Sequence, residues 1–553
     1  VAATLILLVS NSPSARALDW PQWQGPQRDA TSKETGLLQA WPKAGPPLTW
    51  RINGLGGGYS SPSVAKGRLF GMSSRGADEV VWALNEQDGK EVWVTRLGQA
   101  LTEGMPQGKE GAGCTPTVDG DLLYVIGLSG DVVCLRVQDG SIVWRKNLQT
   151  DFGGVLPTWR FNESPLIDGD KLICTPGGTE GTLIALNKKN GDVLWKTIVR
   201  DTSPGSPPNA PPSMMATLPV LVALDANGDK EISADEIKNA STALAKLDKD
   251  SDGKIVEDEV RPAGSGDRQR GGPPGRPGRG GGFRFVPVHA ALDADENNEV
   301  SEAEIKNAAV ALPKLDKNQD GKLSEDEVGP PARRNSGAGY ASAIAVDFGG
   351  QRQYVQLTAR SLVGVSANDG KLLWRYDKPA SRGGINCSTP AYVDGKVFGA
   401  SAYGNGGGMA KLEKQPDGSI KAEEAWFSKN MENHHGGVIV HEGALYGANG
   451  GNGGGYLVCL DFNTGDVLWN EADRDKRRTT KGSVAFADGR IYYRTEEGPI
   501  VLFEPSRTEY LERGRFEQPD RTDKPAWQHP VIANGKLYIR DQDTLFCYDI
   551  KAK

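Results

Sequence analysis

Four acidic loops of twelve residues each carry the only spacing in this chain that specifies a chemistry. They begin at Asp225, Asp248, Asp293 and Asp316. A hard cation such as calcium takes about six to eight oxygen ligands. Carboxylates and amides therefore alternate along a tight loop. The sixth residue turns sharply, the seventh lends its backbone carbonyl, and the twelfth closes the shell with a bidentate carboxylate. The second loop supplies Asp248, Asp250, Asp252, Lys254 and Glu259, with Gly253 at the turn. The fourth supplies Asp316, Asn318, Asp320, Lys322 and Glu327, with Gly321 at the turn. The first has Asp225, Asn227, Asp229, Glu231 and Glu236, but Lys230 stands where glycine would turn most easily. The third has Asp293, Asp295, Asn297, Glu299 and Glu304, with Asn298 at the turn, a residue that tolerates positive φ. These twenty residues are the expected calcium ligands.

The loops come as two copies of one unit. Residues 219–260 align with 287–328 without a gap, and 26 of these 42 positions are identical. Ile237, Ala240, Leu244 and Leu247 follow helical spacing, which predicts a connecting helix over Ile237–Leu247 and a compact loop pair within each copy. Pro313 should kink or shorten the matching helix of the second copy. The intervening segment 261–286 is rich in Gly, Pro and Arg and reads as a linker.

Outside this insertion a different repeat takes over. Ala83-Leu84-Asn85 … Asp88-Gly89 … Trp93 returns around Trp144, Trp195, Trp374 and Trp469, and in degenerate form as Asp417-Gly418 … Trp426. Asp-Gly and Asn-Gly between alternating apolar runs mark tight hairpins. A second element, such as Ser61-Pro62 to Gly67, precedes each phrase and adds another strand pair, giving four strands per unit. Trp50, Trp93, Trp144, Trp195, Trp374, Trp426 and Trp469, with Phe516, mark eight outer strands. The expected fold is all-β: an eight-bladed β-propeller closed by its N- and C-terminal strands, carrying a small α-helical EF-hand insertion. The domains are then 18–201 and 337–553 for the propeller, and 202–336 for the insertion.

The repeat resembles that of pyrroloquinoline-quinone-type propellers. The segments Asp19-Trp20-Pro21-Gln22-Trp23-Gln24-Gly25-Pro26, Asn433-His434-His435-Gly436-Gly437 and Arg515-Phe516-Glu517-Gln518-Pro519-Asp520 are similar to those of exported bacterial quinoprotein-like propellers. That resemblance covers about 19–201 and 337–553. It implies either a quinone-dependent alcohol or sugar dehydrogenase or a cofactor-free propeller, since relatives of both kinds exist. The adjacent-cysteine pair of the quinone enzymes is absent here.

In such propellers the connections into the innermost strands gather at one end of the channel. Here they carry Trp159, Arg160, Asn162, Glu163, His434, His435, Lys481, Trp527 and His529, with Tyr59 and Asn386 beside them. This polar and aromatic set suits a binding pocket. For a quinone, Asn162 and Glu163 would hold a cation and Trp159 or Trp527 would stack on the ring. No nucleophile completes a triad by spacing, so catalytic residues stay unassigned.

Net charge is −7, with much of the acid in the calcium loops. Neither a nucleic-acid field nor a polybasic membrane patch is implied. Val1–Val9 and Ala15-Arg16-Ala17 read as the end of a signal peptide spanning 1–17, so export to the periplasm or beyond is expected. No other stretch is apolar and long enough to span a bilayer. The six cysteines read as small buried residues rather than a disulfide framework. The sequence thus points to a monomeric, calcium-binding, non-catalytic binding or scaffold propeller. Its ligand would be an envelope protein, a glycan or a small molecule at the channel mouth. The alternatives are a quinone-dependent dehydrogenase and a purely structural propeller stabilised by calcium.

Overall fold

The computed structural model describes residues 18–103, 105, 111–178, 180–199, 218–229, 231–256, 259–260, 287–295, 297, 299–316, 321–328, 337–381, 383–451, 454–472 and 478–553. The expected signal segment 1–17, the linker 261–286, the turn residues Lys230 and Asn298, and the ligands Asn318 and Asp320 lie outside the described residues. The chain divides into two compact units, one of residues 1–199 with 335–553 and one of residues 200–334.

The first unit is a ring of eight four-stranded antiparallel sheets. Blades one to three span Ser63–Gln99, Thr117–Asn147 and Leu166–Thr197; blades four to seven span Ile344–Tyr376, Ala391–Ser428, Val438–Asn470 and Gly482–Phe516. The eighth takes three strands from Val531–Asp549 and its outermost strand, Leu48–Ile52, from the other end of the chain. N- and C-terminal strands therefore close the ring.

The repeated tryptophans explain why glycine recurs in the phrase. Each of the seven sits on an outermost strand, and six donate their indole N–H to a carbonyl of the following blade. Trp93 donates to Val137 at 3.0 Å, Trp144 to Lys188 at 2.9 Å and Trp426 to Phe462 at 3.0 Å. The ring lies against the turn glycine of that next blade. A Cβ on Gly140, Gly370 or Gly465 would come within 2.5, 2.6 or 2.5 Å of Trp93, Trp195 or Trp426. Each of these glycines also has positive φ. Close approach and a left-handed turn together leave room only for glycine. The degenerate copy is the exception that fits. Trp374 turns to Gln353 of its own blade, at 2.8 Å, and Gly418 of the next blade has nothing within 4 Å.

The second unit has its own core, which joins both copies. Leu221, Leu224, Ile232, Leu244 and Ile255 pack with Leu292, Val300, Ile305, Leu312 and Leu323. The expectation of a compact loop pair within each copy is overturned. Glu231–Ile232 of loop one pairs with Leu323–Ser324 of loop four, and Lys254–Ile255 of loop two pairs with Val300–Ser301 of loop three. A copy of about 42 residues cannot bury its own apolar face, and the second copy covers it. The connecting helix is also not continuous: it forms Ala234–Lys238 and Ala240–Leu244, broken at Asn239. In the second copy the helix Ala308–Ala311 passes into a 3-10 turn, Leu312–Leu315, at Pro313, as the missing N–H of proline requires.

Candidate functional site

A cavity of about 130 Å³ opens where the entry segments of the blades converge. Tyr59 enters from blade one, Gly113 from blade two, Trp159 and Asn162 from blade three, Tyr340 and Ser342 from blade four, Cys387 from blade five, His434 and His435 from blade six, and Trp527 from blade eight. The innermost strands are short, and these segments, which join the outermost strand of one blade to the innermost of the next, can only meet around the channel.

The floor is supplied by an element to which the sequence assigned no role. Residues 19–32 run across the inner strands of the ring. Trp20 pairs with Val64 of blade one, and the Pro21 carbonyl accepts from Val118 of blade two. The Trp23 indole donates to Thr389 of blade five at 2.8 Å. Arg28 donates to the carbonyls of Ser164 and Ala343, at 3.2 and 2.8 Å. Ala30 and Ser32 bond Phe486 of blade seven. Trp23 faces the cavity and packs against His529, with ring centroids 4.5 Å apart.

Of the nine predicted cofactor-contact residues, five line the cavity: Trp159, Asn162, His434, His435 and Trp527. The other four are engaged elsewhere. Arg160 donates to the carbonyls of Leu101 and Glu103. Glu163 is buried, accepts from the Thr175 amide at 2.6 Å, and faces Arg28. Burial pushes its carboxyl up to about 7. Lys481 pairs with Glu496 at 3.1 Å and bonds the Gly451 carbonyl. His529 donates Nε2–H to the His435 carbonyl at 2.8 Å, beneath the cavity. Asn386 is also structural: its amide donates to Thr358 and its oxygen accepts from Ser381.

Much of the polar lining stitches blades together. Asn162 accepts from Gly113 at 2.8 Å, Ser164 from Thr115 at 2.9 Å, and Ser342 from Ser164 at 2.9 Å. What remains for a ligand is aromatic and neutral. Trp527 lies between Tyr59 and His435, at centroid distances of 4.6 and 4.3 Å. Burial, reinforced by the Lys481 charge, pulls His434 down to about 3, and burial pulls His529 down to about 4. His435 lies well below the usual imidazole range for the same first reason. All three are neutral at pH 7, and bases this weak are poorly matched to proton abstraction there. Burial pushes the Cys387 thiol up to about 12, so it is not an activated nucleophile.

Two lining residues that sequence reasoning missed complete the histidine side. Tyr403, from a hairpin of blade five, places its hydroxyl 2.7 Å from His434 Nε2. Cys387 brings its sulfur within 4.8 Å of a ring nitrogen of each of His434 and His435. A signal for Cys387 was present, since it shares its slot in the repeat with Cys114. Tyr403 had none.

The quinone reading meets a mismatch. Among the described residues, no carboxylate, lysine or arginine lines the cavity. A quinone bearing carboxylates and a bound cation would find neither its counter-charge nor the cation's ligands, because Glu163 points away to Thr175.

The acidic loops gather several of the oxygens expected as ligands. The carboxylates of Asp248, Asp250 and Asp252 converge in loop two, as do those of Asp293, Asp295 and Glu304 in loop three. Gly253 and Gly321 take φ of 87° and 80° at the sixth position. The twelfth-residue carboxylates curl back over the loops: Glu236 accepts from Ala226 at 2.9 Å, Glu259 from Lys249 at 2.7 Å and Glu304 from Ala294 at 2.7 Å.

The sequence matches the family described as outer membrane protein assembly factor BamB over residues 77–239 and 324–471. It is 26% identical over 141 residues to the BamB of Salmonella typhimurium, covering 25% of this chain and 31% of that protein. It is 25% identical over 201 residues to the BamB of Burkholderia pseudomallei, covering 31% of this chain and 51% of that protein. These matches thus span a third to a half of the curated relatives. Among solved structures, BamB from Moraxella catarrhalis aligns with a TM-score of 0.47 at 12% identity, over 92% of this chain and 98% of that one.

Proposed function

Because the chain belongs to the family of outer membrane protein assembly factor BamB, we propose that it is a non-catalytic binding or scaffold protein of the bacterial envelope. It is an exported, periplasmic protein, and among the described residues no helix is long and apolar enough to cross a membrane. The observation that carries the reading is the lining of the cavity, which among the described residues is rich in aromatics, uncharged and built on mutually stitched blades. Such a surface recognises an uncharged ligand by stacking and shape, as an apolar or aromatic peptide side chain or a sugar face would offer. The relatives' name, assembly factor, favours a protein partner. The cation of the acidic loops is calcium in this reading, held through the oxygens at positions one, three, five, seven and twelve.

The test is capture from envelope extract on immobilised protein, with Trp527→Ala and Trp159→Ala beside the wild type, each with calcium and with chelator. A defined partner lost in both variants supports the reading. Capture that is equal in all three proteins would place the binding surface elsewhere. The dehydrogenase alternative predicts dye-linked alcohol or sugar oxidation after quinone reconstitution, against which stands the lack of charge among the described lining residues.

A further inference from the structure

The cavity also brings together three side chains with soft or borderline metal-donor atoms. The Cys387 sulfur and a ring nitrogen of each of His434 and His435 lie within 4.8 Å of one another. The Nδ1 atom of His434 is buried and has no hydrogen-bond partner, although the residue is only 5% exposed. A buried polar atom left unpaired costs about 1–3 kcal/mol, and a ligand there would remove the cost. The other nitrogen of the ring is already fixed: Nε2 lies 2.7 Å from the Tyr403 hydroxyl. With Nε2–H donating to Tyr403, Nδ1 presents its lone pair, which is how outer-shell partners orient metal-binding imidazoles. His435 is held by its stack on Trp527 at 4.3 Å.

We propose that Cys387, His434 and His435 form a three-coordinate copper(I) site at the channel mouth. The donor set of one thiol and two imidazoles selects a soft or borderline ion over calcium or magnesium. Charge decides among the soft ions. Copper(I) with one thiolate is neutral overall. A zinc ion with the same ligands would leave a net positive charge in a cavity whose lining, among the described residues, has no carboxylate, with Lys481 nearby. Burying an uncompensated charge is the larger cost. Lys481 is itself paired with Glu496 at 3.1 Å, so that carboxylate is already engaged. The Met105 thioether, another soft donor, lines the same cavity. Metal–ligand bonds of about 2.0–2.3 Å would set the donors somewhat under 4 Å apart, so donors within 4.8 Å of one another need at most a small contraction on loading. Binding converts Cys387 S–H and Cu⁺ to a copper–thiolate, releasing one proton to buffer. This site does not depend on the protein-ligand reading, and its absence would leave that reading intact.

The experiment is an anaerobic competition between the full-length protein and the copper(I) chelator bicinchoninate, with calcium present. One copper per chain should leave the chelator, with one proton released. Cys387→Ser is nearly isosteric at a half-buried position, and should weaken binding at least tenfold with an unchanged melting temperature. His434→Gln should do the same. X-ray absorption of the loaded protein should show one sulfur and two nitrogen scatterers. No transfer of copper, equal affinity in Cys387→Ser, a spectrum without sulfur, or zinc bound in preference to copper(I) would each overturn the proposal.

Discussion

His529 donates its Nε2–H to the carbonyl of His435 at 2.8 Å, tying the entry of blade eight to that of blade six across the channel mouth. The bond fixes the backbone beneath the cavity rather than supplying a proton to it. Replacing His529 by Ala should weaken ligand and copper binding indirectly, through displacement of His435. Replacing it by Gln, which keeps a donor, should restore much of that loss. A His529→Gln protein no better than His529→Ala in the copper competition would show that the ring itself, not the bond, matters.

The inter-blade latch predicts unequal costs for equivalent glycines. Gly465→Ala meets the Trp426 ring at 2.5 Å and also strains a φ of 76°. Gly418→Ala strains a φ of 84° with nothing within 4 Å. Strain alone costs about 1–3 kcal/mol, and forced overpacking adds a similar amount. Gly465→Ala should therefore lower the thermal midpoint clearly more than Gly418→Ala. Equal shifts would mean that the latch contributes nothing.

Stability should fall as pH rises through weakly acidic values. Glu79 is buried in blade one, and burial raises its carboxyl to about 7 despite the amide of Leu128 that it accepts at 3.0 Å. The native state then holds a proton that the unfolded chain gives up near pH 4.5. The contribution is fully present below about pH 4.5 and is lost as pH rises through about 7. One pKa unit corresponds to about 1.4 kcal/mol, so the loss is on the order of 3 kcal/mol. Urea unfolding of Glu79→Gln should show a flatter profile between pH 4.5 and 7 than the wild type. An unchanged profile would assign the dependence to another group, with Glu163 the next to replace.

Calcium stoichiometry should follow the cross-copy pairing. Glu259→Gln and Glu327→Gln should each remove a site, because each loses the bidentate oxygen pair. Loop two shares a strand pair with loop three, and Lys254 pairs with Glu299 at 2.9 Å across it. Glu259→Gln should therefore also weaken loop three, and Glu327→Gln should weaken loop one through the Lys322–Glu231 pair at 2.7 Å. Calorimetric titration reads both effects. Unchanged stoichiometry in both variants would defeat the calcium assignment, and loss of one site without any change in its partner would defeat the coupling.

The propeller should fold without residues 202–336. Blade three ends at Thr197 and blade four begins at Ile344, and both belong to a unit with its own cores. Circular dichroism of the deletion protein should show one cooperative β-rich transition. Only insoluble protein, under several expression conditions, would show dependence on the inserted unit.

The blades were legible because one residue per blade performs one job. Trp93, Trp144 and Trp195 recur at fixed spacing since each must reach the turn glycine of the next blade, and period and packing are the same fact. Trp159, Asn162, His434, His435 and Trp527 were legible for a similar reason: position in the repeat places them at the mouth. Position did not reveal direction. Arg160, Glu163 and Lys481 occupy equivalent segments but turn to carbonyls, an amide and a carboxylate that only ring closure brings near. Trp23 enters from outside the repeat and Tyr403 from a hairpin of blade five that the repeated phrase does not cover, so periodicity carried no trace of them. The loop pairing failed for a different reason. Two nearly identical copies offer nearly identical edges, and pattern alone does not say which edge meets which.

The segment 19–32 leaves a record of time in the fold. It precedes every one of its bonding partners, and these, Val64, Val118, Ala343, Thr389 and Phe486, are spread over more than four hundred residues that follow. It cannot be seated until blade seven exists, and the eighth blade cannot close until strand Leu48–Ile52 finds Thr544–Asp549. The earliest residues thus reach their places last. Closure of the ring must wait on Thr544–Asp549, and loss of blades seven and eight would free one end of the segment under the cavity along with the final sheet.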